Sequence, residues 1–236
     1  MTGSVTATEI LGGSGADIVI IDTEHSVSSL VVVLEQLRVL EAADTFTIVR
    51  APSNTPSELG RLLDAGARGI MVPMIDSADD ARAAVSAMRY PPRGRRGVGG
   101  GFARATRWTQ VGDYLQRSDD AHALIVQLET TEALAAIPEI LAVDGVDAAF
   151  IGPADLAASL GFLGQPRHPE VRAAVERAIA AVLATGKPVG VNAFAAEDAK
   201  HYAGLGATIL GIGADATVLV SGSSALVAQF GSEGQP

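Results

Sequence analysis

ALIVQLE (residues 123–129) and AAFIGPAD (148–155) are two strand-length apolar runs, each leading to a carboxylate, Glu129 and Asp155. Five further runs end in a similar way: DIVIID at Asp22, followed by Glu24 and His25; FTIVR at Arg50; GIMVP at Pro73; PVGVN at Asn192; TILGIGAD at Asp215. Between them lie helix-length segments with apolar residues at helical spacing. Alternation of this kind predicts βα units around a parallel sheet, and a closed barrel would collect the carboxyl ends of all its strands on one rim. The expected fold is therefore α/β, a (β/α)8 TIM barrel. Only seven strand-like runs can be found, so the first strand of the eight would be missing from this chain.

The 236 residues are read as one barrel-sized domain. Such domains run to about 250 residues. Apolar residues make up 48% of the chain and aromatic ones only 4%, which implies an interior of Ala, Val, Leu and Ile. The net charge of −10 argues against nucleic acid and anionic membrane as partners, since both repel an acidic surface. The absence of cysteine excludes disulfides and thiolate chemistry. No apolar stretch is long enough to span a bilayer, and the first residues lack the pattern of a secretion signal, so a cytoplasmic protein acting on small molecules is expected.

The spacing predicts helices near 28–42, 56–65, 77–88, 131–142, 169–185 and 196–204, with strands at 17–21, 46–50, 69–72, 122–128, 147–151, 188–192 and 208–212. Ser77-Ala-Asp-Asp80 reads as a capping box. Residues 90–120 form a connection far longer than the usual ~4–6 residues, rich in Gly, Pro and Arg. The stretch RYPPRGRRGVGGGFARATRW (89–108) holds Arg89, Arg93, Arg95, Arg96, Arg104 and Arg107 beside Trp108, and an interface or a lid over an anionic substrate is the better reading than nucleic-acid binding. The tail from about 222 is expected to begin a last helix and fray over GSEGQP, flexible or engaged in an oligomer contact.

Glu129 and Asp155 are candidate ligands of a hard divalent cation, which takes oxygen donors and can rest on one or two carboxylates plus water and substrate oxygens. Each could instead cap the helix that follows it. Gln127 shares its side of the strand with Glu129, because side chains alternate with period two. Proline at position 153 leaves the N–H groups of Ala154 and Asp155 free at a helix start, where an anion is favoured. His25 among carboxylates suits general base work, although a surface histidine in an acidic turn accounts for the same residues. Arg50 could stabilise developing negative charge or simply pair with a surface acid. Neither Lys187 nor Lys200 falls at a strand end, which disfavours Schiff-base chemistry.

Four segments, DIVIIDTEH (17–25), RGIMVPMIDSADDARAAVSAMRYPPRGRRGVG (68–99), VQLETTEAL (126–134) and GVDAAFIGPADLAASLG (145–161), resemble the signature segments of the HpcH/HpaI aldolases. The likeness runs from about residue 5 to 220. It implies a metal-dependent pyruvate aldolase that cleaves a 4-hydroxy-2-oxo acid to pyruvate and an aldehyde, in sugar-acid or aromatic breakdown. It further implies His25 as proton acceptor, Arg50 as transition-state stabiliser and Asp64 as the group that raises the basicity of His25. Gln127, the Ala154 backbone and Asp155 would contact substrate. Glu129 and Asp155 would hold Mg2+, Mn2+ or Co2+, and the chain would form a homo-oligomer, a hexamer that exchanges its last helix. By topology alone Asp64 belongs to the far face, and Asp22 is a rival partner for His25. Ala157 stands where the family pattern has serine, and the strand end around Asn192 and Phe194 is less typical. Two alternatives remain: a citryl- or malyl-CoA lyase-like enzyme, and an inactive barrel truncated at its N-terminus.

Overall fold

The computed structural model describes residues 1–231, leaving 232–236, the end of GSEGQP, outside the described residues. Helix α1 (Val5–Gly12) leads to β1 (Ile18–Asp22), α2 (Leu30–Leu40), β2 (Phe46–Arg50), α3 (Pro56–Asp64), β3 (Gly69–Val72) and α4 (Ala78–Met88). A long connection containing α5 (Tyr114–Ala121) reaches β4 (Ala123–Leu128), followed by α6 (Thr131–Ala135), α7 (Ile137–Leu141), β5 (Ala148–Ile151) and α8 (Pro153–Ser159). The chain continues through α9 (Pro169–Ala184), β6 (Val189–Asn192), α10 (Ala196–Gly204), β7 (Ile209–Gly211) and α11 (Asp215–Gly231).

Local chemistry explains most boundaries. Ser77 caps α4 by accepting from the Asp80 amide at 3.2 Å and donating to the Asp80 carboxylate at 2.6 Å. Helix α3 starts at Pro56 and stops before Gly66, whose φ of +100° is open to glycine and strained for other residues. The helix expected over 131–142 is two short helices. Pro138 opens the second and cannot donate to the turn before it.

All seven strands are parallel and pair in chain order from β1 to β7. The sheet is open, which corrects the expectation of a closed eight-stranded barrel: β1 and β7 pair only inward, with β2 and β6, and leave two edges. Burial shows the same gap. On the concave face, Ile48, Met71, Ile125 and Phe150 of the inner strands are buried to 1–2% exposure. Their counterparts Ile18 and Ile20 on β1 and Ile209 on β7 are only partly buried. The other face of the strands packs against the helices in the larger core, built from residues such as Val49, Ile70, Val126, Ala149 and Val191. The N-terminal segment is tied to the far edge, where Thr2 donates its N–H to Asp215 at 3.0 Å.

Period-two alternation then fixes what the carboxyl rim contains. Ile20, Ile48, Ile125 and Phe150 face inward, so Asp22, Arg50, Gln127, Glu129 and Gly152 follow on the same face at successive levels. Helix α11 begins at Asp215, not near 222 as expected, and its Val218, Leu219, Leu226, Val227 and Phe230 are all exposed.

Candidate active site

Asp22 and Arg50 are register partners on adjacent strands, and Arg50 Nε donates to Asp22 Oδ1 at 2.8 Å. Arg50 Nη1 lies 3.0 Å from Glu24 Oε2, so one guanidinium holds two acids and is itself largely buried. Burial acts against the Asp22 carboxylate, but the Arg50 hydrogen bond and charge, with the amides of Glu24 and His25, outweigh it and keep its pKa below the usual carboxylate value. Glu24 goes the other way. Burial raises its pKa, and the negative charges of Asp22 and Asp155 add to that, against the attraction of Arg50 and His25. The His25 imidazole is exposed, with Nε2 at 3.7 Å from Glu24 Oε2.

Glu129 sits at the end of β4 with 1% exposure. Its Oε1 accepts from the Met74 amide at 3.0 Å, and Gln127 Nε2 donates to its Oε2. Met74 reaches that position with φ at +53°, a conformation costly for a residue with a side chain. Burial pushes the Glu129 carboxyl up to about 7; the Met74 hydrogen bond opposes this, while the negative charges of Asp155 and Glu24 reinforce it. Asp155, on the first turn of α8, is exposed above Glu129 and close enough to act on it electrostatically. Ala154 beside it is exposed as well, at a helix start with no side-chain cap.

These residues suit a divalent cation. Acidic groups crowd one another with too little positive charge between them, so Glu129 is poised to trade a proton for a metal. Asp22 Oδ2 and Gln127 Oε1 are buried acceptors with no hydrogen-bond partner. Space beside the carboxylate is kept by Gly152, where an added Cβ would fall 2.5 Å from Glu129 Oε2 and 3.1 Å from Gln127 Nε2. No group of three or more His, Cys, Asp or Glu placed to hold a metal occurs among the described residues, so an ion here would rest on two carboxylates and complete its shell with water and substrate oxygens. Gly152→Ala is expected to fold and to weaken Mn2+ binding by roughly tenfold to a hundredfold, as displacing a group that orients a ligand does. Unchanged affinity in an equilibrium Mn2+ titration would show that the cradle is not used.

Of the residues read from the sequence, the structure brings His25, Arg50, Gln127, Glu129, Ala154 and Asp155 to the carboxyl rim. Asp64 lies elsewhere. It ends α3, before the amino end of β3, and its Oδ1 pairs with Arg96 Nη2 at 2.7 Å. Within one chain the carboxylates beside His25 are Glu24 and Asp22, whose Oδ1 accepts weakly from the His25 amide at 3.5 Å. Met74 and Gly152 went unnoticed as site residues in the sequence. The signal for Gly152 was its place between strand and helix opposite two polar strand ends, and Met74 carried none, since it contributes a backbone amide.

A parallel α/β sheet with acids, an arginine, an amide and a histidine converging at its carboxyl rim is the arrangement of an enzyme site. The chain matches the family model described as HpcH/HpaI aldolase/citrate lyase over residues 3–222. It is 46% identical over 225 residues to a 4-hydroxy-2-oxo-heptane-1,7-dioate aldolase of Salmonella dublin, covering 95% of this chain and 86% of that one. An HpcH/HpaI aldolase/citrate lyase family protein from Burkholderia cenocepacia J2315 superposes with a TM-score of 0.93 at 38% identity, covering 97% of this chain and 91% of that one. An HpcH/HpaI aldolase from Desulfitobacterium hafniense DCB-2 gives 0.87 at 30% identity, covering 100% and 91%. The chain belongs to the HpcH/HpaI aldolase/citrate lyase family. It is a carbon–carbon lyase of the class II aldolase type.

Proposed function

We propose that the rim cleaves a 4-hydroxy-2-oxo acid to pyruvate and an aldehyde, with Glu129 and Asp155 as ligands of Mg2+ or Mn2+. The observation that carries this reading is the buried Glu129 carboxyl, held by the Met74 amide and packed against Gly152, with Asp155 exposed on the turn above it. When bound, the cation supplies Lewis acidity toward the 2-keto oxygen and one carboxylate oxygen of the substrate. Gln127 and the exposed Ala154 amide orient the oxo-acid end. His25 Nε2 accepts the proton of the 4-hydroxyl, with Glu24 at 3.7 Å to steady the imidazolium that results. As the C3–C4 bond breaks, charge passes to the pyruvate enolate, and the Arg50 guanidinium, held by Asp22 and Glu24, meets it without rearranging. Phe194, half exposed beyond the end of β6, belongs to the wall that the departing aldehyde would touch.

The test is a coupled assay of pyruvate release from several 4-hydroxy-2-oxo acids, with and without EDTA. Release that EDTA abolishes and Mn2+ restores supports the reading. Activity with a CoA thioester and none with the oxo acids would replace it with a citryl-CoA type of lyase.

The chain is also proposed to work as a homo-oligomer in which α11 packs on a neighbouring copy. Its apolar side chains surround the helix on all sides, a pattern suited to burial and not to solvent. Light scattering should show an assembly for the full chain and a monomer after removal of residues 218–236. A full chain that is monomeric at micromolar concentration would contradict this. No helix among the described residues is long and apolar enough to cross a membrane.

A further inference from the structure

A cleft of about 660 Å3 lies at the opposite end of the sheet from the carboxylate rim, next to Arg68, which precedes β3, and His122, which precedes β4. Its volume is in the range of small-molecule sites. Four guanidinium groups, those of Arg68, Arg104, Arg107 and Arg117, line it with two carboxylates, Glu41 and Asp120, and Arg117 pairs with Asp113 at 2.9 Å, in a chain whose net charge is −10. Glu41 holds Arg104 at 2.7 Å and Arg107 at 3.2 Å, which fixes two of the forks in place. Arg68 makes no ion pair among the described residues.

A further guanidinium lies behind the wall, paired on one nitrogen with Asp64 at 2.7 Å. Arg96 is a buried cation with 1% side-chain exposure, and its Nε and Nη1 have no hydrogen-bond partner. Its Nη2 donates to the Tyr114 hydroxyl at 3.4 Å. His122 Nδ1 lies 2.6 Å from the Ser118 carbonyl and so carries the proton, which leaves Nε2 to accept from Tyr114 at 3.1 Å. Burial lowers the His122 pKa, and the charges of Arg96 and Arg68 lower it further, against the Ser118 bond.

The lip of the cleft is strained. Arg107, Trp108 and Thr109 have φ values of +47°, +53° and +78°, three left-handed residues in succession and none a glycine. Each such residue costs of order 1 kcal/mol or more, and strain of this kind gathers at ligand clamps. It turns the Trp108 indole outward, 53% exposed, beside the arginines. An exposed aromatic face stacks on planar rings, and clustered arginines pair with phosphate oxygens in a forked geometry.

We propose that this cleft binds a nucleoside diphosphate, with its phosphates on Arg68, Arg104, Arg107 and Arg117 and its base against Trp108. The site is separate from the carboxylate rim, so its failure would leave the aldolase reading untouched. Trp108 is the only tryptophan in the chain, which makes its fluorescence a local reporter. ADP, pyrophosphate and adenosine would each be titrated into the full-length protein, with fluorescence and calorimetry read in parallel. The expected result is a saturable fluorescence change with ADP, binding at least tenfold weaker for pyrophosphate, and none for adenosine. Arg107→Ser, at an exposed position that does not threaten folding, and Arg68→Ala should each weaken ADP by tenfold or more and leave pyruvate release unchanged. Absence of saturable ADP binding would overturn the proposal. So would heat without a Trp108 response, equal affinity for ADP and pyrophosphate, or undiminished binding in Arg107→Ser.

Discussion

Glu129→Ala is expected to cut pyruvate release roughly a thousandfold or more, because a lost Lewis acid removes several kcal/mol of transition-state stabilisation. The carboxylate has no substitute, since its Oε1 is fixed by the Met74 amide and its Oε2 by Gln127 against Gly152. Glu129→Gln keeps the shape, and should fold and fail in the same assay. Activity in either variant within tenfold of the wild type would remove Glu129 from the chemistry. The same group sets a pH signature in the metal-free protein. Its folded pKa, about 7, lies above its ordinary value of 4.5, so the folded chain holds the proton more tightly than the unfolded one. Stability from this group is complete below about pH 4.5 and falls as pH rises to about 7, by on the order of 3 kcal/mol. Denaturant unfolding in EDTA should show that decline between pH 5 and 8 in the wild type and lose it in Glu129→Gln. Parallel pH profiles for the two proteins would contradict the assignment.

Arg50→Ala is expected to act on both rate and stability. Removing a preorganised positive group from developing enolate charge costs roughly a hundredfold to a thousandfold in kcat. The same change leaves Asp22, with 5% exposure, and Glu24 without their shared cation, and breaking a buried pair on one side costs about 3–5 kcal/mol. Arg50→Lys separates the two effects. An ammonium keeps the charge but cannot reach Asp22 and Glu24 together with a planar fork, so folding should largely recover while kcat stays low. Full kcat in Arg50→Lys, or unaltered unfolding in Arg50→Ala, would show that the guanidinium neither steadies the enolate nor ties the two acids.

The strands were legible in the sequence because each is a short, mostly apolar run: 46–50 and 69–72 have the boundaries that spacing alone predicts, and all seven fall where expected. Helix 196–204 was equally plain. Closure of the sheet was not, since it depends on whether β1 and β7 meet, and no local pattern in Ile18–Asp22 or Ile209–Gly211 records that. The break at Pro138 could have been read, as proline inside a helical pattern ends it. In the site, alternation along ALIVQLE was enough to put Gln127 and Glu129 together, and the strand ends put Arg50 near Asp22. The Met74 amide and the tight contact of Glu129 with Gly152 arise from backbone conformation and close approach, which residue types do not disclose. The role of Asp64 came from likeness alone, and within one chain the residue pairs with Arg96, a placement that neither residue's local sequence discloses.

The measurement that bears most directly on a shared metal is an equilibrium Mn2+ titration of the wild type, Glu129→Ala and Asp155→Ala near neutral pH. One ion per chain in the wild type, with binding lost in both variants, is the predicted result. Retention of that ion in either variant would contradict it.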